Sequence, residues 1–268
     1  MTDDLLSSQL VKAAETDPRE WVVMLHGILG QKRNLFGFAR QFVQTFPRLG
    51  VVLVDLRSHG LSPDLPGPQT LANCAQDLKN LLNSLNLPVR SVVGHSFGAG
   101  VACAFADQFH ELQSLWLLDA IPSAMGEDSD VYRVLAALSA CLPASSKEEF
   151  SRCLTASGLS SFLVSWLLMN LYEKDNKFVF KPNPIYAAEM LGDLRNNFNF
   201  QLLGRIGLKT NLFVIKAVRN LGWQRAEAEL TALIRSGLVK IFDLQNAGHF
   251  VHIDNPQGIL KMMREDFA

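Results

Sequence analysis

The chain has 268 residues, 48% of them hydrophobic and 19% charged, with a formal net charge of −1, the make-up of an ordinary globular protein able to bury a core without disulfide or metal staples. Acidic and basic residues are interspersed, so no basic run points to nucleic acid or to anionic lipid. No stretch approaches the ~18 apolar residues of a membrane span, the N-terminus MTDDLLSSQL lacks signal-peptide features, and Cys74, Cys103, Cys141 and Cys153 read as reduced, mostly buried thiols of a cytoplasmic protein.

Short β-rich apolar runs alternate with helical patterns along the chain. Strands are expected at Trp21–Leu25, Val51–Val54, Val92–Val93 leading into Gly94, Leu115–Leu118, Leu212–Ile215 and Val239–Phe242. Helices are expected between and after them, at about Asn34–Thr45, Leu71–Leu85, Ala99–Phe109, Gln224–Ser236 and Gln257–Phe267. Near-continuous apolar strands joined by helices predict a mostly parallel sheet covered on both faces, an α/β fold. One interval breaks the rhythm. From 122 to 207 the pattern is helical, with amphipathic pieces at Val131–Leu138 and Ser161–Tyr172, a short FVF run (Phe178–Phe180) and the turn Pro182-Asn183-Pro184. This interval is read as a helical cap or lid on a core formed by 1–121 and 208–268.

Gly94-His95-Ser96-Phe97-Gly98 lies between a predicted strand and a predicted helix, the context that a G-x-S-x-G nucleophile elbow requires. Ser96 is therefore expected as nucleophile. A serine hydroxyl needs a base, and His249, in the turn Asn246-Ala247-Gly248-His249-Phe250 after the last predicted strand, is the best placed of six histidines. His26, His59 and His95 fall in other motifs, His110 lies at a helix end, and His252 is expected to pack or hydrogen-bond locally. An oxyanion hole needs two convergent donors. The N–H of Phe97 is expected as one and that of Ile28, in the His26–Gly30 loop with Gly27 giving close approach, as the other. The orienting acid is less obvious. Lys216–Leu221 after the strand Leu212–Ile215 holds no Asp or Glu, whereas Asp119 directly follows Leu115–Leu118, at the carboxyl edge where α/β sheets collect functional groups. Asp119 is the choice, and Asp243 is its rival.

HGILG (26–30), DLRSHGLS (55–62), GHSFGAG (94–100), LLDAIP (117–122) and NAGHFVHIDNP (246–256) together resemble the α/β-hydrolase superfamily. Within it the chain is similar to small bacterial acyl esterases and their mitochondrial relatives. That resemblance implies an α/β-hydrolase fold with the cap inserted after the sixth strand, and an acid at the Asp119 position. It also implies bracing roles for Asp55, Arg57 and His59. The chain departs from the subgroup at Lys216-Ala217-Val218-Arg219, where relatives carry a Gly-Gly-x-Ser-like turn, and the departure bears on the pocket wall. The implied chemistry is hydrolysis of a short or medium acyl ester or thioester through an acyl-enzyme, without metal or organic cofactor. His26, Gly27 and Trp166 are expected to contact this small-molecule acyl substrate, and the protein to be a monomer or homodimer. Carbon–carbon bond hydrolysis of a dienoic substrate and a weakly catalytic ligand receptor are the alternatives on the same fold.

Overall fold

The apolar runs become parallel strands in the computed structural model, which describes residues 4–109, 112–122 and 130–268. The first half of the core contains β1 (Ser8–Val11), β2 (Glu20–Leu25), α1 (Lys32–Thr45), β3 (Leu49–Val54) and α2 (Leu71–Leu85). It continues through β4 (Val89–His95), α3 (Phe97–Phe109) and β5 (Ser114–Leu118). An inserted segment follows with α4 (Asp130–Cys141), α5 (Lys147–Ala156) and α6 (Ser161–Leu168). Then come the pair β6 (Leu171–Lys174) and β7 (Lys177–Phe180), α7 (Pro184–Asn197) and α8 (Phe200–Gly207). The chain returns to the core as β8 (Asn211–Ala217), a 3-10 turn (Leu221–Ala226), α9 (Glu227–Arg235), β9 (Lys240–Leu244), α10 (Val251–Asp254) and α11 (Pro256–Phe267).

Among the described residues, seven strands form one sheet in the order β1-β3-β2-β4-β5-β8-β9. All neighbours are parallel except β1, which runs antiparallel to β3. Side chains alternate between the two faces, as strand geometry dictates. Val23, Leu25, Val52, Val54, Leu115 and Leu117 pack in one layer with α2, α3 and α8. Val22, Met24, Val51, Leu53, Trp116 and Ile215 pack in the other with α1 and α11. From β2 the chain steps outward to β3, then returns to lay β4 on the opposite side of β2. That reversal opens a crevice at the carboxyl ends of β2 and β4, the usual ligand position of such sheets. His26–Gly27 and Ser96 sit directly at those two strand ends.

Three expectations are corrected. The insertion leaves the sheet after its fifth strand in chain order, not a sixth. The segment expected to be helical, without a strong strand signal, contains the antiparallel hairpin β6–β7: the FVF run lies in β7, and Tyr172 lies in β6 rather than at a helix end. Cys141 and Cys153, expected as thiols, form a disulfide that ties α4 to α5. Cys74 and Cys103 are free and buried, and burial pushes the Cys74 thiol up to about 12. The insertion is anchored to the core through α7: Asp193 accepts the Leu71 N–H at 2.7 Å at the start of α2. Gly100 of α3 lies so close to Leu194 that a Cβ there would approach its Cδ1 to 2.3 Å. Helix α8 packs on α3 and β8, as a crossover helix of the core does.

Candidate active site

Ser96 is the single residue between β4 and α3. Its φ of 52° lies in the left-handed region, which a residue with a side chain occupies only at a cost of about 1–3 kcal/mol. The turn closes around it because its flanking glycines leave room. A Cβ on Gly94 would meet Gly98 O at 2.4 Å, and one on Gly98 would meet His26 O at 2.5 Å. The Ser96 N–H donates to Leu118 O at 3.1 Å, fixing the elbow to β5. Phe97 opens α3, so its N–H has no partner within the helix.

His249 Nε2 lies 3.1 Å from Ser96 Oγ, and its Nδ1 lies 2.9 Å from Asp119 Oδ2. Asp119 directly follows β5 with φ 46°, and its side chain is fully buried. Its carboxylate accepts three further hydrogen bonds: Ala217 N–H at 3.0 Å and Trp223 Nε1–H at 2.7 Å on Oδ1, and Asn220 Nδ2–H at 2.7 Å on Oδ2. A buried charge of this kind persists only when so compensated. Because a carboxylate only accepts, Nδ1 of His249 carries the proton and Nε2 presents a lone pair to the serine. The arrangement can take a proton from Ser96 and hold the resulting imidazolium.

Other histidines surround the pair. A carbonyl only accepts, so His95 Nε2–H donates to His249 O at 2.8 Å and fixes the loop that carries the ring. Burial, followed by the neighbouring His252 and His249, holds His95 well below the ordinary histidine range. His252 packs on His95 with ring centroids 4.7 Å apart, and burial lowers it to about 4. His26 is buried; its Nδ1–H donates to Gly27 O at 2.8 Å, and its Nε2 accepts the Leu56 N–H at 3.1 Å. His59 bonds Arg57 O through Nδ1, and burial lowers it to about 3. His110 lies outside the described residues.

A cavity of about 490 Å³ opens above Ser96. His26, Gly27, Ile28, Trp166 and His249 line it, with Val131, Val134, Leu163 and Leu191 from the insertion. Trp166 and Phe162 both meet Phe250 edge-on, at 5.5 and 5.2 Å between ring centroids. Asp243 is not part of this site: it pairs with Lys216 at 3.1 Å on the outer strands. Asp55 and Arg57 support the neighbouring loop. Asp55 binds Lys32 Nζ at 2.5 Å and its N–H at 2.6 Å, and Arg57 binds Asp77 at 2.6 and 3.1 Å. Asn220 and Trp223, the amide and indole donors on Asp119, were not foreseen in the sequence. Asn220 stands in the Lys216–Leu221 stretch that lacks an acid and Trp223 just beyond it, and that vacancy is the available signal. Among the described residues, no group of three or more His, Cys, Asp or Glu is placed to hold a metal, and no helix is long and apolar enough to cross a membrane.

The model of the alpha/beta hydrolase family matches residues 22–261. A Mus musculus protein named sn-1-specific diacylglycerol lipase ABHD11 is 30% identical over 262 residues, covering 95% of this chain and 82% of its own. Esterase YbfF of Escherichia coli (strain K12) is 35% identical over 83 residues, 31% of each chain. A solved structure described as a marine microorganism esterase superposes with a TM-score of 0.82 at 22% identity, covering 98% of this chain and 99% of its own, a likeness of fold.

Proposed function

Because the chain belongs to the alpha/beta hydrolase family, we propose that it is a serine hydrolase cleaving a carboxylic ester or thioester of short or medium acyl chain. The observation that carries this reading is the unbroken chain Ser96 Oγ, His249 Nε2, His249 Nδ1, Asp119 Oδ2, with steps of 3.1 and 2.9 Å. His249 takes the Ser96 proton as Oγ attacks the acyl carbonyl. The N–H groups of Phe97 and Ile28 hold the tetrahedral oxyanion, and Asp119 fixes the His249 tautomer and stabilises the imidazolium. His249 then gives its proton to the leaving oxygen or sulfur. Water, deprotonated by the same ring, releases the acid and restores Ser96.

Within the segment read as a cap, 122–207, helices α4, α6 and α7 cover this site, while α8 packs with the core. Val131, Val134, Leu163 and Leu191 offer an aliphatic wall to the acyl chain, and Trp166 closes it beside His26 and Gly27. The chemistry calls for no metal or organic cofactor. A panel of p-nitrophenyl esters, acyl thioesters and a diacylglycerol tests the reading, the last because a relative's name specifies that substrate. Wild type should turn over at least one class, and Ser96→Ala should turn over none. An active Ser96→Ala variant would refute the assignment.

A further inference from the structure

Between the insertion and the loop His26–Gln31 run two side-chain bonds that the chemistry above does not use. Asn170, at the junction of α6 and β6, donates through Nδ2 to the Leu29 carbonyl at 2.7 Å. Gln31 returns the contact, donating through Nε2 to the Met169 carbonyl at 3.0 Å. The orientation of the Asn170 amide follows from chemistry: a carbonyl accepts only, so nitrogen must face Leu29. Both residues are buried, Asn170 to 6% and Gln31 to 9% exposure. The Asn170 backbone is itself held on two sides, its N–H by Leu167 O at 2.9 Å and its carbonyl by Lys181 N–H at 3.1 Å.

The far end of the strap is a strained loop. Leu29 has φ 60°, a conformation that persists only when its surroundings over-determine it. Inside the loop the Gly27 carbonyl accepts from Gly30 N–H at 3.0 Å and from His26 Nδ1–H at 2.8 Å. Those two bonds close the turn on itself, and Asn170 reaches it from outside, one residue after Ile28. We propose that Asn170 is a positioning residue for the oxyanion hole, holding the Ile28 N–H in register through the Leu29 carbonyl. The insertion then shapes the reaction as well as the substrate, because its α6–β6 junction sets the loop that receives the oxyanion. The inference rests on the serine-hydrolase reading and on the Ile28 N–H as a donor.

A positioning role and a pocket-lining role separate in the kinetics. An oxyanion donor acts in the transition state, so its misplacement lowers kcat and leaves KM in place. The test uses wild type, Ser96→Ala, Asn170→Asp and Asn170→Ala on one ester substrate, together with inhibition by an alkyl boronic acid that mimics the tetrahedral intermediate. Asp is close to Asn in shape but presents an oxygen to the Leu29 carbonyl. Asn170→Asp should lower kcat on the order of 10- to 100-fold, the scale of an oxyanion donor displaced rather than lost. Boronate affinity should weaken in parallel, and KM should stay within about threefold. Asn170→Ala should fall in the same direction; if Asn170→Asp fails to fold, Asn170→Ala and Asn170→Ser decide. Unchanged kcat and boronate affinity, or a rise in KM alone, would overturn the proposal. Ester turnover by wild type that is absent in Ser96→Ala keeps the serine-hydrolase reading standing in either case. A wild type without any turnover would count against that reading instead.

Discussion

Strand β5 carries a buried carboxylate network at each end, and the two differ in what they face. At its carboxyl end, Asp119 accepts from the Trp223 indole, the Asn220 amide, the Ala217 N–H and His249. At its amino end, Asp266 of α11 accepts from the Trp116 indole at 2.8 Å, Ser114 Oγ at 2.5 Å and Arg90 at 3.3 Å. Both are buried carboxylates bonded by an indole, so neither burial nor that bond marks a reactive site. The difference is the partner. Asp266 meets a guanidinium that keeps its protons and pins α11 beneath the sheet. Asp119 meets an imidazole that is 45% exposed and whose second nitrogen faces a serine under a cavity.

Removing the same charge at both ends separates the two networks most strongly. Asp119→Asn should lower kcat by about 10³–10⁴-fold, the scale of a lost tautomer-fixing carboxylate. Asp266→Asn should leave kcat within twofold of wild type and lower the unfolding free energy by about 2–3 kcal/mol in urea titrations. Equal kinetic losses at the two ends would remove the distinction.

Acid should also strike the two ends unequally. His26, His59, His95 and His252 are all held neutral near the carboxyl edge by burial. Their folded pKa values lie below the unfolded one, so the stability they carry is complete above about pH 6.5 and is lost as pH falls towards their folded values. With His59 at about 3 and His252 at about 4, each should cost on the order of 2 kcal/mol at pH 5 relative to pH 7. Hydrogen exchange at pH 5 should open residues 26–30 and 95–99 before the Ser114–Asp266 end. The reverse order would assign acid sensitivity to the wrong edge.

The indoles give the smallest contrast. Trp223→Phe should reduce kcat about tenfold by loosening Asp119 Oδ1, and Trp116→Phe should cost about 1–2 kcal/mol of stability with kcat unchanged. Steady-state kinetics and urea melts on the two variants check this pair.

The carboxyl edge was legible because its constraints are local. A G-x-S-x-G turn between an apolar strand and a small-residue helix has few other uses, and the glycines at 94 and 98 have no room for a Cβ. The parallel strands were legible because burial on both faces leaves continuous apolar runs. Strand β1 was missed: SQLV is short, and its middle residues are exposed. The β6–β7 hairpin was missed because each strand has only four residues: LYEK is charged and largely exposed, and the FVF run of KFVF is too short to establish a period. The Cys141–Cys153 disulfide depends on how α4 meets α5, which no spacing rule encodes. Asn220, Trp223 and Asn170 act through contacts 101, 104 and 141 residues away in the chain. Such pairings arise only once the sheet has brought the strand ends together.

Whether Ser96 is an activated nucleophile is read most directly by a fluorophosphonate probe with mass mapping of the adduct. One adduct per chain is expected on the peptide containing Ser96, absent in Ser96→Ala and slowed by about 10³-fold or more in Asp119→Asn. A folded wild type that stays unlabelled, or that carries its adduct on another serine, would contradict it.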